Sequence, residues 1–526
     1  MDPVNTGLDL LPTDIWLKIV DEIIHSDSES EDESEALMNI SSTCRAFRWL
    51  TLPLICSTLT IHTYVLDDSL IETWEKSERT PPSSAQMDRE IQRLEFFSSS
   101  PIASYVRYLI LCPWRQPPFE SSWPLPATDI DFTDSLVHKF YQAVPRFQNA
   151  QSLECTDSDF DSFALQQISQ LPKLKFMDLT NCNILPSAKA PVQLRINTLH
   201  FMHQAKSDTL LTLGVDRWLR VLDLSKLQEL RVYPDRLVSF FFHGMGPTYP
   251  SDLNTLSRLF ISVSARVLTQ LPLLLSKTPG LRHLSISSWP SDFENRKRIL
   301  ETYQPPLISP TPNIEVYRGP YELLHIILPV TKSKSGKSQL HLPTLPLRRL
   351  YLNSLLLPSG EHFKLLHQSL SSPHYSLQLS GLTHFYAKVC SIEYDDVVEF
   401  CALLPVLQEL SLEAMVNTQN VTRETFLDDL LTIPLSSSHM RSLAINWTTN
   451  NSVDYVVSKH KQVQTQLVKR FPLLEKLWLC DWRRAALLWH RSVPGREISM
   501  VYETGTHASK INEAIDARLI FFSTAM

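Results

Sequence analysis

The chain has 526 residues, of which 81 are Leu and only 11 are Gly, with 43% apolar and 20% charged residues. That much Leu can bury a large core and excludes wholesale disorder. Scarce Gly counts against phosphate-cradling loops, whose backbones need positive φ or close approach to a ligand. The net charge of −7 at pH 7 gives no electrostatic footprint for nucleic acid.

The N-terminal stretch MDPVNTGLDLLPTD has no basic residue and no apolar core of the kind a signal peptide needs. No run approaches the ~18 apolar residues of a membrane span. The eight cysteines, Cys44, Cys56, Cys112, Cys155, Cys182, Cys390, Cys401 and Cys480, lie far apart with no CxxC pair, which reads as buried, reduced thiols. These features predict a protein of the cytoplasm or nucleus with no membrane and no nucleic-acid partner.

The first predicted element is a helix over LPTDIWLKIVDEII, residues 11–24. Pro12 suits a first helical turn, where its missing N–H leaves no bond unmade, and Asp14 faces the positive end of the helix dipole. Ile15, Ile19 and Ile23 form one apolar stripe, and Trp16, Val20 and Ile24 a second beside it. Two stripes exceed what a small helical domain needs to seal itself, so the second calls for a partner. Next comes the acidic insert SDSESEDESE (26–35), read as a solvated loop because its like charges repel. Ser26, Ser28 and Ser30 each have an acid three residues downstream, a pattern for acidophilic kinases. A plain spacer explains the same residues.

A second helical run follows over residues 36–55, with Leu37, Ile40, Cys44 and Phe47 on one face and Pro53 as its stop. STLTIHTY then reads as a strand. Taken by itself, the pattern fits a helical hairpin packing on the rest of the protein. The residues Leu11, Pro12, Asp14, Ile15, Ile19, Leu37, Ile40, Cys44, Arg45, Phe47, Arg48, Leu50 and Pro53 also stand in an order that resembles the F-box domain. The resemblance covers residues 10–56, with Phe47 where that family often has Trp and with the acidic insert lengthening the inter-helix connection. It implies a three-helix module that docks on the Skp-type adaptor of a cullin-RING ubiquitin ligase. The adaptor contacts it implies are Leu11, Pro12, Ile15, Ile19, Leu37, Cys44 and Phe47.

Linker helices are expected over 61–100, with TPPSSAQ (80–86) as a loop. From about residue 100 one phrase recurs, an apolar residue followed by others at +3 and +5. Copies are Val106–Leu109–Leu111, Leu174–Met177–Leu179, Leu227–Leu230–Val232, Leu281–Leu284–Ile286, Leu347–Leu350–Leu352, Leu407–Leu410–Leu412, Met440–Leu443–Ile445 and Leu474–Leu477–Leu479. Degenerate copies are expected around Leu199, Leu259 and Phe385. LKFMDLTNCNI (174–184) resembles the leucine-rich repeat consensus in full. Between copies, segments such as FALQQISQLPK and SARVLTQLPLLLSKT have helical periodicity and commonly end at Leu-Pro. Strand, turn, helix, Pro, strand is one coil of a parallel stack, and each coil buries its leucines against its neighbours.

The predicted fold class is therefore α/β: an F-box-like module (10–60), linker helices (61–100) and an irregular leucine-rich-repeat solenoid (101–526). Its parallel strands would line a concave side and its helices a convex side. Residues 303–346, rich in Pro and carrying the basic run KSKSGK, are expected to form a surface insertion. GKS there lacks the upstream Gly of a phosphate loop.

No GxSxG, HExxH, GxGxxG, CxxC or EF-hand pattern occurs. His200 and His203 could ligate a metal, but two residues at that spacing carry little specificity. The expectation is a non-catalytic protein with no cofactor and no metal. Residues flanking the last apolar position of each phrase should point outward, among them Asp178, Arg231, Tyr233, Tyr351 and Trp478, the candidate target contacts. The function so implied is the substrate-recognition subunit of a Skp–cullin–F-box ubiquitin ligase, holding a protein target of unknown identity. The alternative is a leucine-rich-repeat interaction scaffold whose N-terminal helices are only a cap.

Overall fold

An apolar residue with partners at +3 and +5 can bury all three when the second and third share one face of a strand and the first closes the turn before it. In the computed structural model this is what the phrase does. The structure describes residues 18, 30–43, 45–62, 83–113, 127–185, 193–203, 215–233, 237–239, 253–287, 313–327, 347–352, 379–389, 402–414, 439–447, 471–481, 485–491 and 498–504. They belong to two compact units, Met1–Ser251 and Asp252–Met526, each a mixed α/β structure built on parallel strands.

The first unit carries β1 (Thr58–His62), β2 (Tyr108–Cys112), β3 (Ser152–Thr156), β4 (Asp159–Phe160), β5 (Phe176–Thr180), β6 (Asn183–Ile184), β7 (Thr198–Met202) and β8 (Glu229–Tyr233). Strands β1, β2, β3, β5, β7 and β8 pair in that order, all parallel, while β4 and β6 form a separate two-stranded pair. Register keeps Leu59, Leu109, Leu153, Met177, Leu199 and Leu230 in one column, and each is 0% exposed. The carbonyl two residues before each centre accepts two N–H groups from the next strand. Ser57 O, for example, takes Arg107 N at 2.7 Å and Tyr108 N at 3.0 Å, and the pattern repeats at Arg107, Gln151, Lys175 and Asn197.

The second unit carries β9 (Arg258–Ile261), β10 (His283–Ile286), β11 (Val316–Gly319), β12 (Arg349–Leu352), β13 (His384–Val389), β14 (Glu409–Ala414), β15 (Ser442–Trp447), β16 (Lys476–Asp481), β17 (Ala485–Arg491) and β18 (Ile498–Thr504). β9 to β16 are parallel in chain order. β17 and β18 add on antiparallel, a departure from the expected all-parallel stack. The degenerate rungs around Leu199, Leu259 and Phe385 are strands β7, β9 and β13.

Several expectations are corrected. The ladder starts well before residue 100, since β1 pairs with β2, and it starts inside the segment assigned to the N-terminal module. Its rung is Cys56–Leu59–Ile61, short enough to be hidden behind the helix that precedes it. The acidic insert is not a loop throughout, because residues 30–35 open the helix Ser30–Thr43. Glu31, Asp32 and Glu33 lie in its first turn, where the dipole favours negative charge over coil. Pro53 does not stop its helix, which runs Arg45–Ile55 with Pro53 in the last turn. TPPSSAQ ends as a helix start: Ser83 caps Ser84–Phe97, with Gln86 returning the bond as a capping box.

Pro272 lies inside the helix Ala265–Ser276 and does not end it. An interior proline costs about 3 kcal/mol, whereas burying Leu268, Leu271, Leu274 and Leu275 at roughly 1.5–3 kcal/mol each outweighs it. Finally, residues 303–346 do not form one surface insertion, because β11 is a ladder strand. Its rung is Ile314–Tyr317–Gly319, in which a fully buried Tyr stands where other rungs have Leu, Met or Phe. The Tyr317 hydroxyl donates to Pro320 O at 2.8 Å. A Cβ on Gly319 would meet that ring and come within 3.1 Å of Ile286 Cβ, so a large residue at +3 is matched by none at +5. The basic run 332–337 lies outside the described residues.

Candidate functional site on the outward face of the strands

Residues between the buried columns of a strand point the other way. In the first unit the position after each centre gives Glu154 on β3, Asp178 on β5, His200 on β7 and Arg231 on β8, in register on adjacent strands. Glu229, at the start of β8, joins them. His200 Nδ1 lies 3.2 Å from Asp178 Oδ2 and His200 Nε2 lies 3.3 Å from Glu229 Oε1, while Arg231 Nε donates to the same Glu229 oxygen at 2.8 Å. An ionised carboxylate only accepts, so two such acids, one at each ring nitrogen, favour the doubly protonated imidazolium. Burial pulls the His200 pKa down, but the bonds from Asp178 and Glu229 outweigh it and the net shift is upward. Phe176 places its ring edge-on to the imidazole at 4.7 Å. Glu154 is raised by burial and then by the negative charge of Asp178.

The turns after β3 and β5 align too. Asp157 and Asn181 both adopt the left-handed conformation, with φ of 52° and 54°, and the Asn181 amide donates to Asp157 Oδ1 at 2.8 Å. His203 follows β7, and its N–H bonds Tyr233 O at 2.9 Å. Burial lowers its pKa, against a smaller upward pull from Asp157. His200 and His203 thus serve different surroundings, and among the described residues no group of three or more His, Cys, Asp or Glu could hold a metal.

In the second unit the same position runs Phe260, Ser285, Arg318, Tyr351, Tyr386, Ser411 and Ala444 across β9 to β15, and the register continues to Trp478 on β16. Phe260 and Ser285 are buried, so this position is not solvent-exposed along the whole row. Tyr351 and Tyr386 are half-buried, with rings 6.4 Å apart. Burial is the main cause raising the Tyr351 pKa, opposed by the neighbouring Arg349. His384 Nε2 sits 3.5 Å from Glu409 Oε1, and the bond from His384 holds the Glu409 carboxyl below its ordinary value despite burial.

Of the expected target contacts, Asp178 and Arg231 are brought together through His200 and Glu229, and Tyr233 lies two residues on from Arg231 along β8. Tyr351 stands in the second unit's row, and Trp478 lies on β16 with its side chain outside the described atoms. Sequence reasoning missed Glu229 and weighed His200 only as a metal ligand, not as the partner of Asp178. The signal for His200 was present, since it follows Leu199 as Asp178 follows Met177, but it sat in a rung recognised only as degenerate.

Of the expected adaptor contacts, Leu11, Pro12, Ile15, Ile19 and Cys44 lie outside the described residues, as do Ser26 and Ser28. Leu37 is buried and Phe47 is half-buried, while Ser30 is the first residue of its helix. Exposed instead on these helices are Met38 and Trp49, each 56% accessible, and Leu54.

No protein-family model matches this chain, and no curated protein matches it either. Among solved structures, a chain in a crystal structure of a TLR13–ssRNA13 complex is similar at 13% identity, over 72% of this chain and 67% of that one, with a TM-score of 0.24. A likeness at that score bears no weight, and the fold rests on strand order and register. No helix among the described residues is long and apolar enough to cross a membrane.

Proposed function

We propose that the chain is a substrate-recognition subunit of a Skp–cullin–F-box ubiquitin ligase. Its N-terminal helices would hold the Skp-type adaptor and its strand ladder a target protein. Two features support the reading: the F-box resemblance of residues 10–56, and the large apolar side chains that its helices leave in water. Met38, Trp49 and Leu54 each leave part of their surface in water, and a docked adaptor would recover a fraction of the roughly 1.5–3 kcal/mol that full burial of such a side chain brings. On this reading the protein has no catalytic residue. It would raise the effective concentration of a ubiquitin-loaded enzyme near target lysines. A cytoplasmic or nuclear location belongs to the same proposal.

A second reading, an interaction scaffold with a helical cap and no ubiquitin role, draws on one observation. The helix Arg45–Ile55 leads into β1 after only Cys56 and Ser57, so these helices are continuous with the first rung. Co-purification of the full chain with a Skp-type adaptor separates the two. The receptor reading expects binding by the wild type, loss in Ile15→Asp and weakening in Trp49→Ala. A wild type that does not bind, or variants that bind equally well, would leave the scaffold.

A further inference from the structure

The outward face of β11–β13 says more about the chemistry of a bound protein than any other described surface. Arg318 projects from β11 beside Tyr351 of β12, which is in register with Tyr386 of β13, while Arg349 at the start of β12 stands between Val316 and His384. Arg348 precedes it and is exposed. Two guanidinium groups and two phenol rings therefore share three neighbouring strands, a strip about 10 Å wide at ordinary strand spacing, with Arg348 just before β12. The acids around them are already engaged: Glu315 pairs with Arg282 at 3.6 Å, and Glu409 pairs with His384. Glu409 feels Arg349 only as a secondary charge. Among the described residues Arg318, Arg348 and Arg349 form no ion pair, whereas Arg441, farther along the ladder, has Glu475 at 3.4 Å.

A guanidinium presents a planar fork that matches a carboxylate through two parallel bonds, and Tyr supplies contact area with few rotamers to lose. A nucleic-acid backbone would need cations along a longer track, and the net charge of −7 opposes its approach. We propose that the outward face of β11–β13 docks a carboxylate-rich segment of the bound target protein, gripped by Arg318 and Arg349 and packed against Tyr351 and Tyr386. The proposal rests on the receptor reading only in calling that protein the ligase's target.

The test is fluorescence anisotropy of a labelled deca-glutamate peptide titrated with the full chain at low salt, beside a deca-lysine peptide and a uridine decamer RNA. Saturable, salt-sensitive binding of the glutamate peptide is expected. It should weaken about tenfold or more in Arg318→Ala/Arg349→Ala and stay near wild type in Arg441→Ala. Arg318→Lys/Arg349→Lys, which keeps the charge and loses the fork, should fall between. No binding of the glutamate peptide, an equal loss in Arg441→Ala, or tighter binding of the RNA overturns the proposal. Unchanged thermal unfolding of the double variant excludes misfolding as the cause. Failure of adaptor co-purification with peptide binding intact would sink the receptor reading alone, and the converse would sink this proposal alone.

Discussion

At the scale of single residues, His200 makes the sharpest demand on its surroundings, because both ring nitrogens face acids on β5 and β8. The facing groups are Asp178, Glu229 and Arg231, with the Phe176 ring against the edge. The folded-state pKa is raised, so His200 contributes stability that is complete below the unfolded value of about 6.5 and is lost as pH rises through the higher folded value. His200→Gln, whose amide can still donate but cannot be charged, should remove that dependence. Denaturant unfolding across this window should show the wild type losing its advantage over the variant as pH increases, and parallel curves would refute the imidazolium assignment. The scarcity of Gly also makes sense at this scale, since Asp157 and Asn181 take left-handed turns elsewhere given to Gly. Their places at the strand ends follow from the repeating phrase, but their mutual bond does not, because 24 residues separate them.

At the scale of elements, a rung tolerates changes in side-chain size when its two buried positions compensate. Tyr317 and Gly319 on β11 show this most clearly. Gly319→Ala should destabilise by about 1–3 kcal/mol through overpacking against the Tyr317 ring and Ile286. Adding Tyr317→Leu should recover part of that loss, giving a non-additive double-mutant cycle in chemical denaturation. Additive effects would show that the two side chains do not share the space. The same compensation explains why β11 went unread: neither Tyr nor Gly looks like a leucine ladder, and the prolines around it suggested a surface loop. Helix ends were harder still. Pro53 and Pro272 are local stop signals overruled by packing, whereas Ser83 and Gln86 are a start signal that the neighbouring prolines obscured.

At the scale of the whole molecule, both units apply one rule, in which the described strands from β1 to β15 that follow the repeating phrase each bury a central apolar residue. Thiols caught in that core should be inert. Cys56, Cys112, Cys155 and Cys182 are buried, and burial pushes the Cys155 thiol well up and the Cys56 thiol up. Site-resolved alkylation should leave these four unmodified in the native chain near neutral pH and modify all of them in denaturant. Rapid native labelling of Cys155 would contradict the packing. The sequence by itself determined the ladder, through the +3/+5 spacing and the Leu excess, and with it the alternation of faces along each legible rung. Only the tertiary structure decided where the ladder begins, that its last two strands run antiparallel, and which outward residues meet. Burial in a strand is set by a residue's immediate neighbours in sequence. Meeting across strands depends on register between segments tens of residues apart, and no local pattern encodes that.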